Sequence, residues 1–247
     1  MKILALLIYV LIASVGVYFL KPLYIWSILI VLVPPSVVNF FWLKSSKYKV
    51  LLFSLVAALI FAPPIELMAR LKDVWDVTSS FPRPFGLIPL ENMLFAFLNF
   101  FWVLSFYEYF IDKDLVSRIN KRFKYLVFIF VIFSIIVFSL FFYQRNLVAA
   151  NYFAIAFLSL IIPAGIIFKK NLKLLKKTIL PTLFFAVVFF VYELVSLKVG
   201  SWFWPGEYLL PVIIWGEIFP LDDIIIWYFL STPALIGGYE FFMDDFR

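Results

Sequence analysis

Eight carboxylates carry the chemistry this sequence can offer. Of 15 Asp and Glu, Glu66, Glu91, Glu108, Glu193, Glu217, Asp222, Asp223 and Glu240 lie within or at the edges of strongly apolar runs. Ionisable groups in such segments are costly to hold, tend to face a bundle interior, and mark proton or ligand chemistry. The chain has no His and no Cys. That removes the commonest general base, thiol nucleophiles, disulfides and most metal-ligand sets. Proton transfer would therefore fall on carboxyl groups. They fall into two layers. Glu66, Glu91, Glu193, Asp222 and Asp223 group toward one side, and Glu108 and Glu240 sit about four turns further along their helices.

The elements that must position these acids are membrane helices. The 247 residues are 65% apolar and 15% charged, against about 45–50% and about 25% in soluble domains. Runs near 20 residues long read as spans. Eight are expected, at 3–20, 23–43, 48–70, 88–111, 123–143, 148–168, 177–198 and 214–242. The first closes with Lys21-Pro22 and lacks a small-residue cleavage site, so it reads as a retained helix. The last contains Pro233 and Gly237-Gly238, where a kink or break is expected. With both termini inside, 15 Lys and Arg fall in cytoplasmic segments and 6 outside, the bias expected of an integral membrane protein. The net charge of +6 then marks the cytoplasmic face and gives no reason to invoke nucleic acid.

The chain also repeats itself. Glu66 precedes Trp75 by nine residues, and Glu193 precedes Trp202 by nine. Pro89-Leu90-Glu91-Asn92 matches Pro220-Leu221-Asp222-Asp223, and Tyr107-Glu108-Tyr109-Phe110 matches Tyr239-Glu240-Phe241-Phe242. The expected architecture is an all-α membrane protein of two parallel four-helix repeats, 1–113 and 114–247, with the functional site where the copies face each other.

Pro-Leu-Glu is also an ordinary helix start: proline suits the first position, and the macrodipole favours a carboxylate there. Burial in low dielectric acts on a carboxyl in the opposite sense. Duplication of the motif, each copy with a Glu ending the preceding helix, favours a functional role. Asp222 and Asp223 point about 100° apart on a helix, so only one is expected to oppose Glu91 across the repeat axis. Glu108 and Glu240, beside tyrosines at the membrane boundary, read as structural, and Glu207 reads as solvated. Most of the 22% aromatic residues suit lipid contact and interfacial belts. Trp75, Trp202, Trp204 and Trp215 lie near the acid layer and could also line a cavity whose ring faces stabilise a cation. No G-x-G-x-x-G and no P-loop is present, and there is no room for a nucleotide domain; no cofactor and no metal are expected.

The paired Trp–loop–Pro-Leu-Glu/Asp blocks resemble the lycopene cyclase domain of heterodimer-type carotenoid cyclases, in a fused two-copy form. The likeness rests on 66–110 and 193–242. It implies a membrane enzyme that closes end rings on a linear carotenoid without net redox change and without a cofactor. Glu91, Asp222 and Asp223 would supply acid and base, with Glu66 and Glu193 as supporting or alternate proton donors and Asn92 and the four tryptophans near the substrate. Asn92 stands where that family has an acid, which is a departure. Alternatives are another polyisoprenoid-acting membrane enzyme or binder, and a proton-coupled transporter. The expected partners are an apolar polyisoprenoid and the bilayer.

Overall fold

The computed structural model describes residues 1–149, 152–206, 208 and 210–246; the side chains of Tyr152, Phe153 and Asp222 lie outside the description. Eight long helices follow one another: α1 Lys2–Leu20, α2 Tyr24–Trp42, α3 Lys47–Arg70, α4 Leu90–Asp112, α5 Phe123–Tyr143, α6 over 152–170, α7 Leu172–Lys198, and α8, which opens with Leu221–Asp223 and runs on as Ile224–Phe242. Among the described residues, all but α6 are long and apolar enough to cross a membrane. The beginning of the 148–168 run falls partly outside the described residues.

Proline shapes these helices. It donates no N–H, and its ring crowds the carbonyl four residues earlier. Wide π turns at Ala57–Phe61 and Phe157–Ile161 accordingly precede Pro63-Pro64 and Pro163. In α8 the break falls at Phe229-Leu230, ahead of Ser231–Phe242. Phe229 is four residues before Pro233, so the proline accounts for it. Gly237 and Gly238 lie inside the unbroken final segment, a correction to the kink expected there. Gly237 instead permits close packing on α6, since a Cβ would stand 3.4 Å from side-chain atoms of Ile167 and Phe168.

The expected 214–242 helix is also too long. Pro211–Ile214 and Glu217–Pro220 form an antiparallel hairpin closed by Trp215 and Gly216, both at positive φ, a backbone that suits a tight two-residue turn. A second ribbon pairs Asp76–Val77 with Trp202–Phe203, so the fold is helical with two small strand pairs. Both ribbons belong to the loops on the face opposite the lysine-rich connections, termed here the basic face.

The packing alternates between the two halves of the sequence. α2 packs on α4 and α6 on α8, while α1 lies on α7 and α5 on α3. α4 and α8 also meet. The outer sides of α1 and α5 stay apolar and exposed, as at Ile12, Phe19, Phe128 and Ile135. So large an apolar surface suits lipid rather than water.

Candidate functional site

On the face opposite the basic one, each half of the chain builds one carboxyl site from its own helix pair. In the first, Glu66 ends α3 and is buried. Its Oε2 accepts from Trp75 Nε1 at 2.9 Å, and its Oε1 accepts from Asn92 Nδ2 at 2.9 Å. Arg70, one turn on, donates to the Trp75 carbonyl at 2.6 Å and pairs with Asp76 at 2.9 Å. The indole is thereby fixed over the carboxylate. In the second site Glu193, near the end of α7, accepts from the Tyr228 hydroxyl. Asp223, on the first turn of α8, and Trp204 are its other polar neighbours. Asn92 and Asp223 occupy matched positions in the sequence repeat. One site thus places an amide beside its glutamate, and the other places a second carboxyl.

The described partners of Glu91 are groups of the loop that precedes α4. Glu91 is buried, yet its oxygens accept from the Ser79 hydroxyl at 2.7 Å and from the backbone N–H groups of Ser80 and Phe81 at 2.5 and 3.3 Å. It fastens the loop between α3 and α4 onto the start of α4. No described hydrogen bond or ion pair joins it to Glu193 or Asp223. The Asp222 side chain, one of the two aspartates expected to oppose Glu91, lies outside the described residues, as does Glu207.

An aromatic cluster adjoins the glutamates through Tyr24. Trp202 has its ring centroid 6.2 Å from Tyr24, 6.0 Å from Phe95 and 5.7 Å from Trp204, and Phe95 stacks on Tyr192 at 5.9 Å. Trp75 meets Trp227 edge-on at 5.9 Å. Trp202 and Trp204 also line a cleft of ≈ 610 Å³ with Asp76, Leu197, Glu217 and Ile218. Trp215 is not part of this group. It sits exposed at the hairpin tip, stacked on Tyr18 at 5.4 Å. Glu217, also on the hairpin, pairs with Lys198 at 3.0 Å.

Sequence reasoning missed Tyr24. It is fully buried, with Glu66, Glu91, Glu193 and Tyr192 as its polar surroundings. Its hydroxyl has no hydrogen-bond partner among the described residues. A tyrosine just after Lys21-Pro22 at a helix start reads as an interfacial belt residue, and nothing in its spacing signals otherwise. Tyr192 was equally silent; its hydroxyl lies 3.1 Å from Ser27 Oγ.

The second acid layer lies at the basic face and joins the halves. Tyr107 donates to Glu240, and Tyr239 donates to Glu108, an exchange between matched positions. Lys49 pairs with Asp244 at 2.6 Å and with Glu108 at 3.3 Å, while Lys177 pairs with Asp112 at 2.8 Å. Glu108 and Glu240 are fully buried rather than reaching for the surface as boundary residues would. Glu108, Asp112 and Asp244 bring oxygens within 4.8 Å of one another, a spacing that would fit a cation; the Lys49 ammonium supplies positive charge there. A wide turn at Glu108–Asp112 carries Glu108 and Asp112 into this cluster. Comparison with family models, with curated proteins and with solved structures found no match to this chain.

Proposed function

We propose that the chain is an integral membrane enzyme that closes rings on a linear polyisoprenoid of the lycopene class by proton-initiated cyclisation. The observation that carries this reading is that two carboxyl groups, Glu193 and Asp223, are electrostatic neighbours, with Trp204 of the aromatic cluster also a neighbour of Glu193. Two neighbouring carboxyl groups resist simultaneous ionisation and can hold one proton between them. Such a proton can be delivered to a terminal double bond. The tertiary cation that results is attacked by an alkene within the same molecule, forming the ring's carbon–carbon bond. Loss of a proton to a carboxylate then leaves a ring double bond, so a proton is gained and a proton is lost with no change in oxidation state. Aromatic faces stabilise the cation between these steps, and carboxyl acid–base catalysis of this kind is worth about 10²–10⁴-fold.

In this reading Glu66 with Asn92 is the corresponding site of the first half, with one carboxyl where the second has two. Glu91 positions the loop above it. The apolar substrate enters from the bilayer, and the sequence repeat is read as two parallel four-helix units with eight spans and both termini cytoplasmic. The alternating packing of the helices and the Tyr107–Glu240 and Tyr239–Glu108 exchange support that organisation. A proton-coupled carrier is the second reading, favoured by the separate buried acid layer at the basic face, which ring closure does not require. The test is expression in cells that accumulate lycopene, followed by pigment analysis. Cyclic pigment is expected, and linear pigment alone in cells whose membranes hold the protein would overturn the proposal.

A further inference from the structure

At the basic face, α1, α2 and α4 end around a pocket of ≈ 630 Å³ lined by Lys2, Trp42, Lys44, Tyr109, Lys113 and Asp114, among others. Asp114 forms no ion pair with these lysines. Its oxygens accept from the backbone N–H groups of Lys44, Ser45 and Ser46 and from the Ser46 hydroxyl, so it serves the start of α3. Among the described residues, Lys2, Lys44 and Lys113 form no ion pair. Lys2 instead donates to the Tyr109 hydroxyl, with its ammonium 4.5 Å from the Trp42 ring centroid and 4.8 Å from that of Tyr109. Three cations thus gather around one pocket that holds a single carboxylate, Asp114, and so carries a surplus of positive charge. Such a gathering is relieved by a bound anion. Trp and Tyr at helix ends mark the depth of lipid headgroups. The flanking Phe41 and Leu115 are 70% and 66% exposed, apolar surface of the kind that meets acyl chains.

We propose that this pocket binds the phosphate of an anionic phospholipid from the leaflet that meets the basic face, with Lys2, Lys44 and Lys113 as charge partners and Trp42 and Tyr109 as its rim. Basic pockets between membrane helices hold such headgroups by this chemistry. The test uses the full chain in neutral detergent, exchanged with phosphatidylglycerol or phosphatidylcholine, with retained lipid counted by native mass spectrometry. Phosphatidylglycerol is expected to be kept in preference. The double variant Lys44→Gln, Lys113→Gln is expected to weaken its retention on the order of 10-fold. The double variant Lys173→Gln, Lys176→Gln removes equal charge from the same face outside the pocket and is expected to leave retention unchanged. All four lysines are exposed, so these variants are expected to fold. Equal retention of the two lipids, or equal loss in both double variants, would overturn the proposal. So would displacement of the lipid by millimolar inorganic phosphate, since a free ion would then be the ligand.

Discussion

At one matched position the two glutamate sites differ, Asn92 beside Glu66 and Asp223 beside Glu193, and that difference sets expectations for single substitutions. Glu66 accepts hydrogen bonds on both oxygens. Glu66→Gln turns one acceptor into a donor facing Trp75 or Asn92, which should cost about 1–3 kcal/mol of stability, measurable by thermal unfolding in detergent. Glu193→Gln removes a carboxyl from the Glu193–Asp223 pair and should lower ring formation about 100-fold or more while the protein stays folded. Glu91→Gln should have a smaller effect on ring formation, because its partners are the loop residues Ser79, Ser80 and Phe81. Near-wild-type activity in Glu193→Gln would remove that residue from the chemistry. Tyr24 gives a sharper contrast. A tyrosine kept only for packing, with its hydroxyl buried and unpartnered, would gain stability as phenylalanine. Tyr24→Phe is expected to unfold at a higher temperature and yet form rings more slowly.

At the scale of elements, the loops decide where the acids sit. Gly206 passes so close to the α3–α4 loop that an added Cβ would stand 2.8 Å from the Asp73 carbonyl. Gly206→Ala should therefore push that loop off the Trp75–Glu66 contact, seen as a lower unfolding temperature and a change in tryptophan fluorescence. Asp114 does the corresponding work at the basic face. Burial disfavours its charge, but the Ser46 hydroxyl and the N–H groups of Ser45, Lys44 and Ser46 outweigh that and hold its carboxyl below the ordinary range. A carboxyl held low when folded contributes stability above its unfolded value and loses that contribution as pH falls through the folded one. Asp114→Asn should thus be less stable than wild type at pH 7, by about 1 kcal/mol as for a lost helix cap, with the gap closing on acidification below about pH 4. The helices themselves were legible from apolar run length. The hairpin at 211–220 was not, because Pro211–Ile214 and Ile218-Phe219 are as apolar as a span and only the Trp215-Gly216 turn and Glu217 separate them. The break in α8 was legible in kind, from Pro233, but displaced by the four residues over which a proline ring acts.

Across the whole molecule, the two halves are joined at the basic face by buried charge. Removing one member should act on the entire fold. Lys49→Met leaves Glu108 and Asp244 buried without their cation and should cost about 3–5 kcal/mol. Tyr107→Phe and Tyr239→Phe, which break matched bonds, should destabilise to a similar extent. The repeat was readable as motif spacing, and it pointed to the residues that exchange partners here. It could not tell which contacts would run within a half and which between halves, since both arrangements share one spacing. The described partners of Glu66 and Glu193 each come from their own half, while Tyr24 of the first half has glutamates of both halves around it and carries no motif. The most direct test of the central claim is to incubate protein-containing membranes with lycopene in D₂O and read the mass of the cyclic product. Acid-initiated closure predicts one carbon-bound deuterium from solvent for each ring formed, and loss of that product in Glu193→Gln. Rings formed without solvent deuterium, or formed equally well by Glu193→Gln, would contradict it.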